Sequence, residues 1–120
     1  MACLQKSKKY TQSIIKSMSL KNLNKSRVRT LTPSQFRWVD LAAKIGSNPK
    51  VLFIDEIEQH VSRENINILS KLLYKKCNYD GVTLICTSQN SELFKNLISV
   101  TITLKHGRIS SLRSRGSKRH

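Results

Sequence analysis

Two acidic residues stand where an apolar run stops. Val51-Leu52-Phe53-Ile54 is followed at once by Asp55-Glu56. A carboxylate delivered by the end of a buried strand can hold Mg²⁺ through water, and its neighbour can take a proton from an attacking water. A solvated loop after a strand accounts for the same pair. A second apolar run, Val82-Thr83-Leu84-Ile85-Cys86-Thr87, ends in Ser88-Gln89. If both runs are parallel strands of one sheet, the two polar pairs share its carboxyl edge, where ligands bind in such sheets. The cysteines offer less: Cys3, Cys77 and Cys86 form no CxxC pair and have no histidine at ligand spacing. A zinc site or disulfide framework is not expected, reduced thiols fit a cytoplasmic location, and Cys86 reads as a small core residue.

The elements that must position these residues follow from periodicity. Residues 1–13 are polar and lysine-rich, and read as a basic flexible segment. Ile14, Ile15, Met18, Leu20 and Leu23 predict a short amphipathic helix that ends before the basic run Lys25–Arg29. Thr32 is a good N-cap and Pro33 is pre-organised for the first helical position. The helix they open runs to about Ile45, with Phe36, Val39, Ala42, Ala43 and Ile45 on its apolar face, and Gly46 and Asn48-Pro49 stop it. The continuous apolarity of residues 51–54 predicts a strand buried on both faces. Ile66, Leu69, Leu72 and Leu73 define a helix over about 63–77, Asp80-Gly81 a turn, and Ser91 the cap of a short helix through Leu97. Val100-Thr101-Ile102-Thr103-Leu104 alternates strictly, and His106-Gly107 turns the chain into Arg108-Ile109-Ser110, an edge hairpin with one wet face. Residues 111–120 form a cationic tail. This order predicts an α/β fold, with helices crossing between parallel strands.

Charge separates the middle of the chain from its ends. The 120 residues carry 22 Lys+Arg against 7 Asp+Glu, a net charge of +15. All the acids lie between Asp40 and Glu92, a stretch that is close to neutral, while both flanks are purely basic. Cationic flanks favour a polyanion, either RNA or an anionic membrane surface, although basic ends can also serve solubility alone. No apolar run approaches the ~20 residues that span a bilayer. The start lacks the apolar core of a signal peptide, and the expected location is cytoplasmic.

The spacing of the motifs is more specific than any one of them. Leu31-Thr32-Pro33-Ser34-Gln35, the helix Phe36–Ile45, and Asn48-Pro49-Lys50-Val51-Leu52-Phe53-Ile54-Asp55-Glu56 resemble one unbroken block of the ABC-type ATPases, in which a signature motif opens a helix that leads to the Walker B strand. Glu58–Ser62 falls at the position of the family's D-loop. Val82–Ser88 looks like the strand before its switch residue, with Gln89 at the switch. Leu104–Ile109 is similar to its closing hairpin, and Met18–Leu23 to the segment ahead of the signature. The resemblance covers residues 14–110 and implies the carboxyl half of a P-loop NTPase-like nucleotide-binding domain. It implies that Asp55 orders Mg²⁺, Glu56 polarises the attacking water, and Gln89 lies near the γ-phosphate of ATP. Thr32 and Ser34 would present a hydroxyl and a backbone N–H to a nucleotide held by a partner domain. Gln35 would help to position that loop, and Ser62 would stand at the domain interface.

Departures from the family pattern weaken the expected site. Pro33 and Ser34 replace the signature's two glycines. Glycine permits close approach of backbone to phosphate, and proline has no N–H to donate. Gln89 stands where the family usually has histidine; it can hydrogen-bond a phosphate but cannot accept a proton as imidazole does. Ser62 replaces an aspartate. No GxxxxGK[ST] occurs among the 120 residues: Gly46, Gly81, Gly107 and Gly116 include no two five apart. The phosphate-cradling loop must then come from elsewhere, and the isolated chain is expected to bind Mg-ATP poorly and hydrolyse none.

Smaller features read plainly. Trp38 fits a packed surface aromatic better than one facing a neighbouring subdomain. His60 resembles the histidine of the Asp-Glu-x-x-x-His loop of the ABC F subfamily, and equally fits a solvated loop. His106 is a turn residue. The expected partners are a second nucleotide-binding domain or P-loop half, together with a membrane permease, which places the chain on the inner face of a membrane. The alternatives are a ribosome- or RNA-binding translation factor that uses the basic flanks, and a non-catalytic regulatory remnant.

Overall fold

A computed structural model describes the backbone of residues 2–116 and the side chains of 4–116. The Cys3 thiol and the end of the basic tail, 117–120, lie outside the described residues. The principal elements in chain order are α1 (Ala2–Ser17), α2 (Pro33–Gly46), β1 (Val51–Ile54), α3 (Arg63–Tyr79), β2 (Thr83–Cys86), β3 (Val100–Lys105) and β4 (Arg108–Ser114). No helix of the described residues is long and apolar enough to cross a membrane.

The lysine-rich start is helical, contrary to its composition. The reason is Tyr10. Its hydroxyl donates to the Ile45 carbonyl at 3.2 Å, and its ring lies 4.1 Å beneath the Lys76 ammonium. One side chain thus ties α1 to both α2 and α3, while Ile14 and Met18 bury the same face and Lys6, Lys8, Lys9 and Lys16 stay in water. The helix ends at Ser17, short of Leu23, because Ser19 takes a left-handed φ of 54° and the Leu20 N–H returns to the Ile15 carbonyl.

Helix α2 begins as its sequence demands. The Thr32 hydroxyl accepts from the Gln35 N–H at 3.2 Å, and the Gln35 side chain accepts from the Thr32 N–H at 3.0 Å, a complete capping box with Pro33 following the cap. Its buried face is Trp38, Leu41, Ala42 and Ile45. Phe36, expected in the core, is 51% exposed, and Ala43 is also exposed. The buried stripe keeps Ala42 and Ile45 but turns toward Trp38 and Leu41, because Trp38 packs and bonds against the Met18 segment. Trp38 is 6% exposed, and its indole N–H donates to the Met18 carbonyl at 2.8 Å, which fastens the end of α1.

Strands β1 and β2 pair in parallel, Val51 with Thr83 through Ile54 with Cys86, and α3 makes the crossover. Leu52 and Ile54 pack on a core that includes Ile57, Leu69 and Leu73. The other face is bare: Phe53 is 67% exposed and Ile85 51%. The expectation of a strand buried on both faces is corrected. Continuous apolarity here marks a face with no covering layer among the described residues. The segment after β2 is a single 3₁₀ turn, Ser91–Phe94, preceded by Asn90 with no side-chain cap bond and anchored by the buried Phe94. The hairpin β3–β4 turns at His106-Gly107, both with positive φ, and continues past residue 110 into the basic tail. Its apolar residues face solvent while Thr101 and Thr103 are half-buried, so the wet face is the apolar one. It forms a sheet separate from β1–β2.

Candidate functional site

The carboxyl edge of β1–β2 gathers the predicted residues. The pairing continues one step beyond the strands: the Thr87 N–H donates to the Ile54 carbonyl at 3.1 Å and the Ile57 N–H to the Thr87 carbonyl at 3.0 Å. Asp55 and Thr87 are thereby set side by side. The Thr87 hydroxyl donates to Asp55 Oδ1 at 2.5 Å and accepts from the Glu56 N–H at 2.7 Å. The Gln89 amide then donates to Glu56 Oε1 at 3.4 Å. Asp55, Glu56 and Gln89, named from two separate motifs, share one hydrogen-bonded cluster.

The Asp-Glu turn is held against its own preference. Glu56 has a φ of 44°, in the left-handed region that a residue with a Cβ enters at a cost. Its N–H is taken by Thr87. Across the turn, Arg37 Nη2 donates to the Asp55 carbonyl at 2.8 Å and to the Glu56 carbonyl at 3.1 Å. Arg37 stands in the second turn of α2, so the helix opened by Thr32-Pro33 fixes the backbone that presents both carboxylates.

The switch segment has its own clamp. Glu58 Oε1 accepts from the Gln89 N–H at 2.6 Å, the Ser88 hydroxyl at 3.0 Å and the Asn90 N–H at 3.2 Å. Burial pushes the Glu58 carboxyl up. The hydrogen bonds from its own backbone, Gln89, Ser88 and Asn90 together outweigh that and hold it below the ordinary glutamate range. Burial, helped by the Glu58 charge and by Cys77, raises the Cys86 thiol. Cys77 and Cys86 are free thiols.

The remaining predicted residues lie in two other places. Thr32 and Gln35 spend their side chains on the α2 capping box, and Ser34 is exposed in its first turn. Ser62 is the N-cap of α3, with its hydroxyl accepting from the Asn65 N–H at 3.2 Å. None of these four side chains hydrogen-bonds to Asp55, Glu56 or Gln89. His60 is exposed in the loop between, with a φ of 58°.

Arg37, Glu58 and Thr87 make hydrogen bonds here that the motifs alone do not show. Thr87 was within reach, because two four-residue strands in parallel register place the residue after Cys86 beside the residue after Ile54. The bonds of Arg37 and Glu58 depend on tertiary register, and nothing local announces them.

The donor set is hard oxygen: the Asp55 and Glu56 carboxylates and the Thr87 hydroxyl. That suits Mg²⁺, which keeps several waters and takes one or two carboxylates together with phosphate oxygens. Among the described residues no group of three His, Cys, Asp or Glu side chains could hold a metal by itself. The residues therefore fit a metal brought with a phosphate, and not a self-contained protein cage.

No protein-family model matches the chain. It is 26% identical over 97 residues to the methionine import ATP-binding protein MetN of Campylobacter jejuni, covering 81% of this chain and 29% of that one. It is 29% identical over 91 residues to the phosphonates import ATP-binding protein PhnC of Nocardia farcinica, covering 76% and 34%. With the cell division ATP-binding protein FtsE of Streptococcus pneumoniae the identity is 26% over 109 residues, covering 91% and 47%. The chain thus spans about a third to a half of the length of these relatives. Among solved structures, an ATP-binding cassette of an ABC transporter in its ADP conformation superposes with a TM-score of 0.70 at 16% identity, over 92% of this chain and 43% of that one. CbiO1 of Clostridium perfringens, part of the ABC transporter complex cbiONQ, gives 0.68 at 20%, over 89% and 43%.

Proposed function

We propose that this chain, which is a partial ABC-type ATPase domain, supplies the magnesium-ordering and water-polarising half of an ATP site. The carrying observation is the convergence of Asp55, Glu56 and Gln89 on the carboxyl edge of the parallel pair. Asp55 orders Mg²⁺ through water, and Thr87 keeps one of its oxygens aimed. Glu56 takes the proton of the attacking water, and its turn is braced by Arg37 so that the carboxylate need not reorganise during the reaction. Gln89 donates to the γ-phosphate. When bound, Mg²⁺ neutralises charge that develops on the phosphate oxygens.

The α2 N-terminus serves a nucleotide on a second nucleotide-binding domain. Ser34, in the first helical turn, keeps an N–H without an intrahelical acceptor, whereas Pro33 has none to offer. With Ser62 in place of an aspartate and an amide in place of an imidazole, turnover is slow. The phosphate loop comes from a P-loop segment outside these 120 residues.

The relatives named for import motivate a permease as the membrane partner, and a position on the cytoplasmic face of a membrane. The exposed lysines of α1 and the basic Lys25–Arg29 loop favour a second reading, an RNA surface such as the ribosome. Capture of the tagged chain from its own cells, with and without detergent and after nuclease, separates the two. A permease recovered only from the detergent extract, with ATPase activity in the captured assembly that Glu56→Gln abolishes, supports the transporter reading. Nuclease-sensitive ribosomal proteins without a permease overturn it.

A further inference from the structure

The hairpin β3–β4 turns its polar side inward: Thr101, Thr103 and Ser111 are half-buried. Arg113 stands opposite Thr101 on that side, and Ser111 opposite Thr103. A bulge between Thr103 and Leu104 adds Ser110 to it, with the Ser110 hydroxyl donating to the Thr103 carbonyl at 3.2 Å. Together with the segment Ser91–Ser99, this polar side lines a groove of about 560 Å³. The two walls are tied to each other by Arg115, whose N–H donates to the Ser99 carbonyl at 2.7 Å and whose Nη1 donates to the Asn96 carbonyl at 2.8 Å. The charge of the groove is one-sided. Lys95, Lys105, Arg113 and Arg115 line it against one acid, Glu92, which lies 4.0 Å from Lys95. Among the described residues, neither Lys105 nor Arg113 forms an ion pair.

We propose that this groove binds the phosphodiester backbone of a nucleic acid strand. Hydroxyls and cations side by side are the groups that meet phosphate oxygens. From Thr101 to Lys105 the polar side runs about 13 Å at ~3.3 Å per residue, too long for one phosphate and suited to a row of them. A concave surface takes a strand better than it takes the flat face of a membrane. No aromatic residue lines the groove among the described residues, so bases have nothing to stack on and binding is independent of sequence. The groove shares no lining residue with the Lys25–Arg29 loop or α1. It stands whether or not the chain serves an ATP site.

The test follows the fluorescence anisotropy of a labelled oligouridylate of about 12 nucleotides against the full chain, between about 50 and 300 mM KCl. Lys105 and Arg113 are both exposed, so neutralising them leaves the core intact. The double variant Lys105→Gln/Arg113→Gln is expected to weaken binding roughly tenfold at about 100 mM salt. It should also flatten the plot of log K against log salt by about 1.4, because each phosphate contact on a single strand contributes about 0.7. Thr103→Val changes no charge, and should weaken binding about threefold with the slope intact. Lys105→Arg/Arg113→Lys should keep the slope, which separates lost charge from lost folding. Lys6→Gln/Lys8→Gln on α1 should change binding less than about twofold. An equal loss in the α1 variant, or no loss in the groove variant, overturns the proposal. So does tighter binding of polyglutamate or of phosphatidylserine vesicles than of the oligonucleotide, if the groove variant abolishes it. An oligodeoxyuridylate run alongside tells the source of the strand: RNA if the 2′-hydroxyl adds affinity, DNA if it does not, with the groove variant weakening both.

Discussion

One oxygen of Glu58 accepts the Gln89 backbone N–H at 2.6 Å, so the residue proposed to meet the γ-phosphate is held by a carboxylate from the loop after β1. Ser88 and Asn90 share the same oxygen. Glu58→Gln removes the charge from three donors at once, and is expected to cost about 1–3 kcal/mol. Hydrogen exchange at the Gln89 and Asn90 amides should accelerate while α3 keeps its protection. The sign with pH follows from the lowered carboxyl. The Glu58 contribution is complete above the ordinary glutamate value of about 4.3 and disappears as pH falls through the folded-state value below it. Urea midpoints of the wild type and Glu58→Gln should therefore converge in acid.

Tyr10 holds the basic helix in place. Tyr10→Phe keeps the ring beneath Lys76 and loses the bond to Ile45, an expected loss of about 0.5–1.5 kcal/mol. Tyr10→Ala loses both and should release α1. Tryptic cleavage after Lys6, Lys8 and Lys9 would then rise severalfold while cleavage within α3 stays slow. Equal cleavage in Tyr10→Ala and the wild type would contradict this anchoring.

Lys76 provides an alkaline limb. Burial alone lowers its ammonium, but the hydrogen bonds and charges of Asp80 and Tyr10 outweigh burial and raise it. Nζ lies 2.8 Å from Asp80 Oδ2. A raised lysine stabilises fully below its unfolded value of about 10.4 and loses that contribution as pH climbs through the folded one. Asp80→Asn should weaken the fold at pH 7, and thermal melts should show the difference from wild type shrinking above about pH 10.5.

The capping box of α2 is the part of the proposed signature that can be tested without nucleotide. Thr32→Ala is expected to cost about 0.5–2 kcal/mol in urea unfolding, and Thr32→Ser much less. Equal losses in the two variants would show that the methyl group and not the hydroxyl matters.

Much of the site could be read from the residues. Four apolar residues ending in Asp55-Glu56, and a second such run ending before Gln89, suffice to place both at one sheet edge once the crossover helix makes the strands parallel. Thr32-Pro33 and Gln35 announce their own helix start. Lysine content hid the α1 helix, because what holds it is tertiary: Tyr10 on Ile45 and Lys76, and Ile14 in the core. The face of α2 shifted from Phe36 to Trp38, since residues at both phases are apolar and only packing against Met18 decides between them. Residues 51–54 describe burial in a whole sheet, of which this chain holds one covered face. Glu58 acts across as many as 32 residues of sequence and Arg37 across as many as 19, through bonds that exist only once register is set.

These 120 residues are proposed to carry the Mg²⁺ acid and the water-activating base of an ATP site without its phosphate cradle. The most direct measurement is ATP turnover by the purified chain at saturating Mg-ATP, wild type against Glu56→Gln. No release of phosphate above the Glu56→Gln level is expected. Turnover by the wild-type chain that Glu56→Gln removes would contradict it, and would require a complete nucleotide site within this chain.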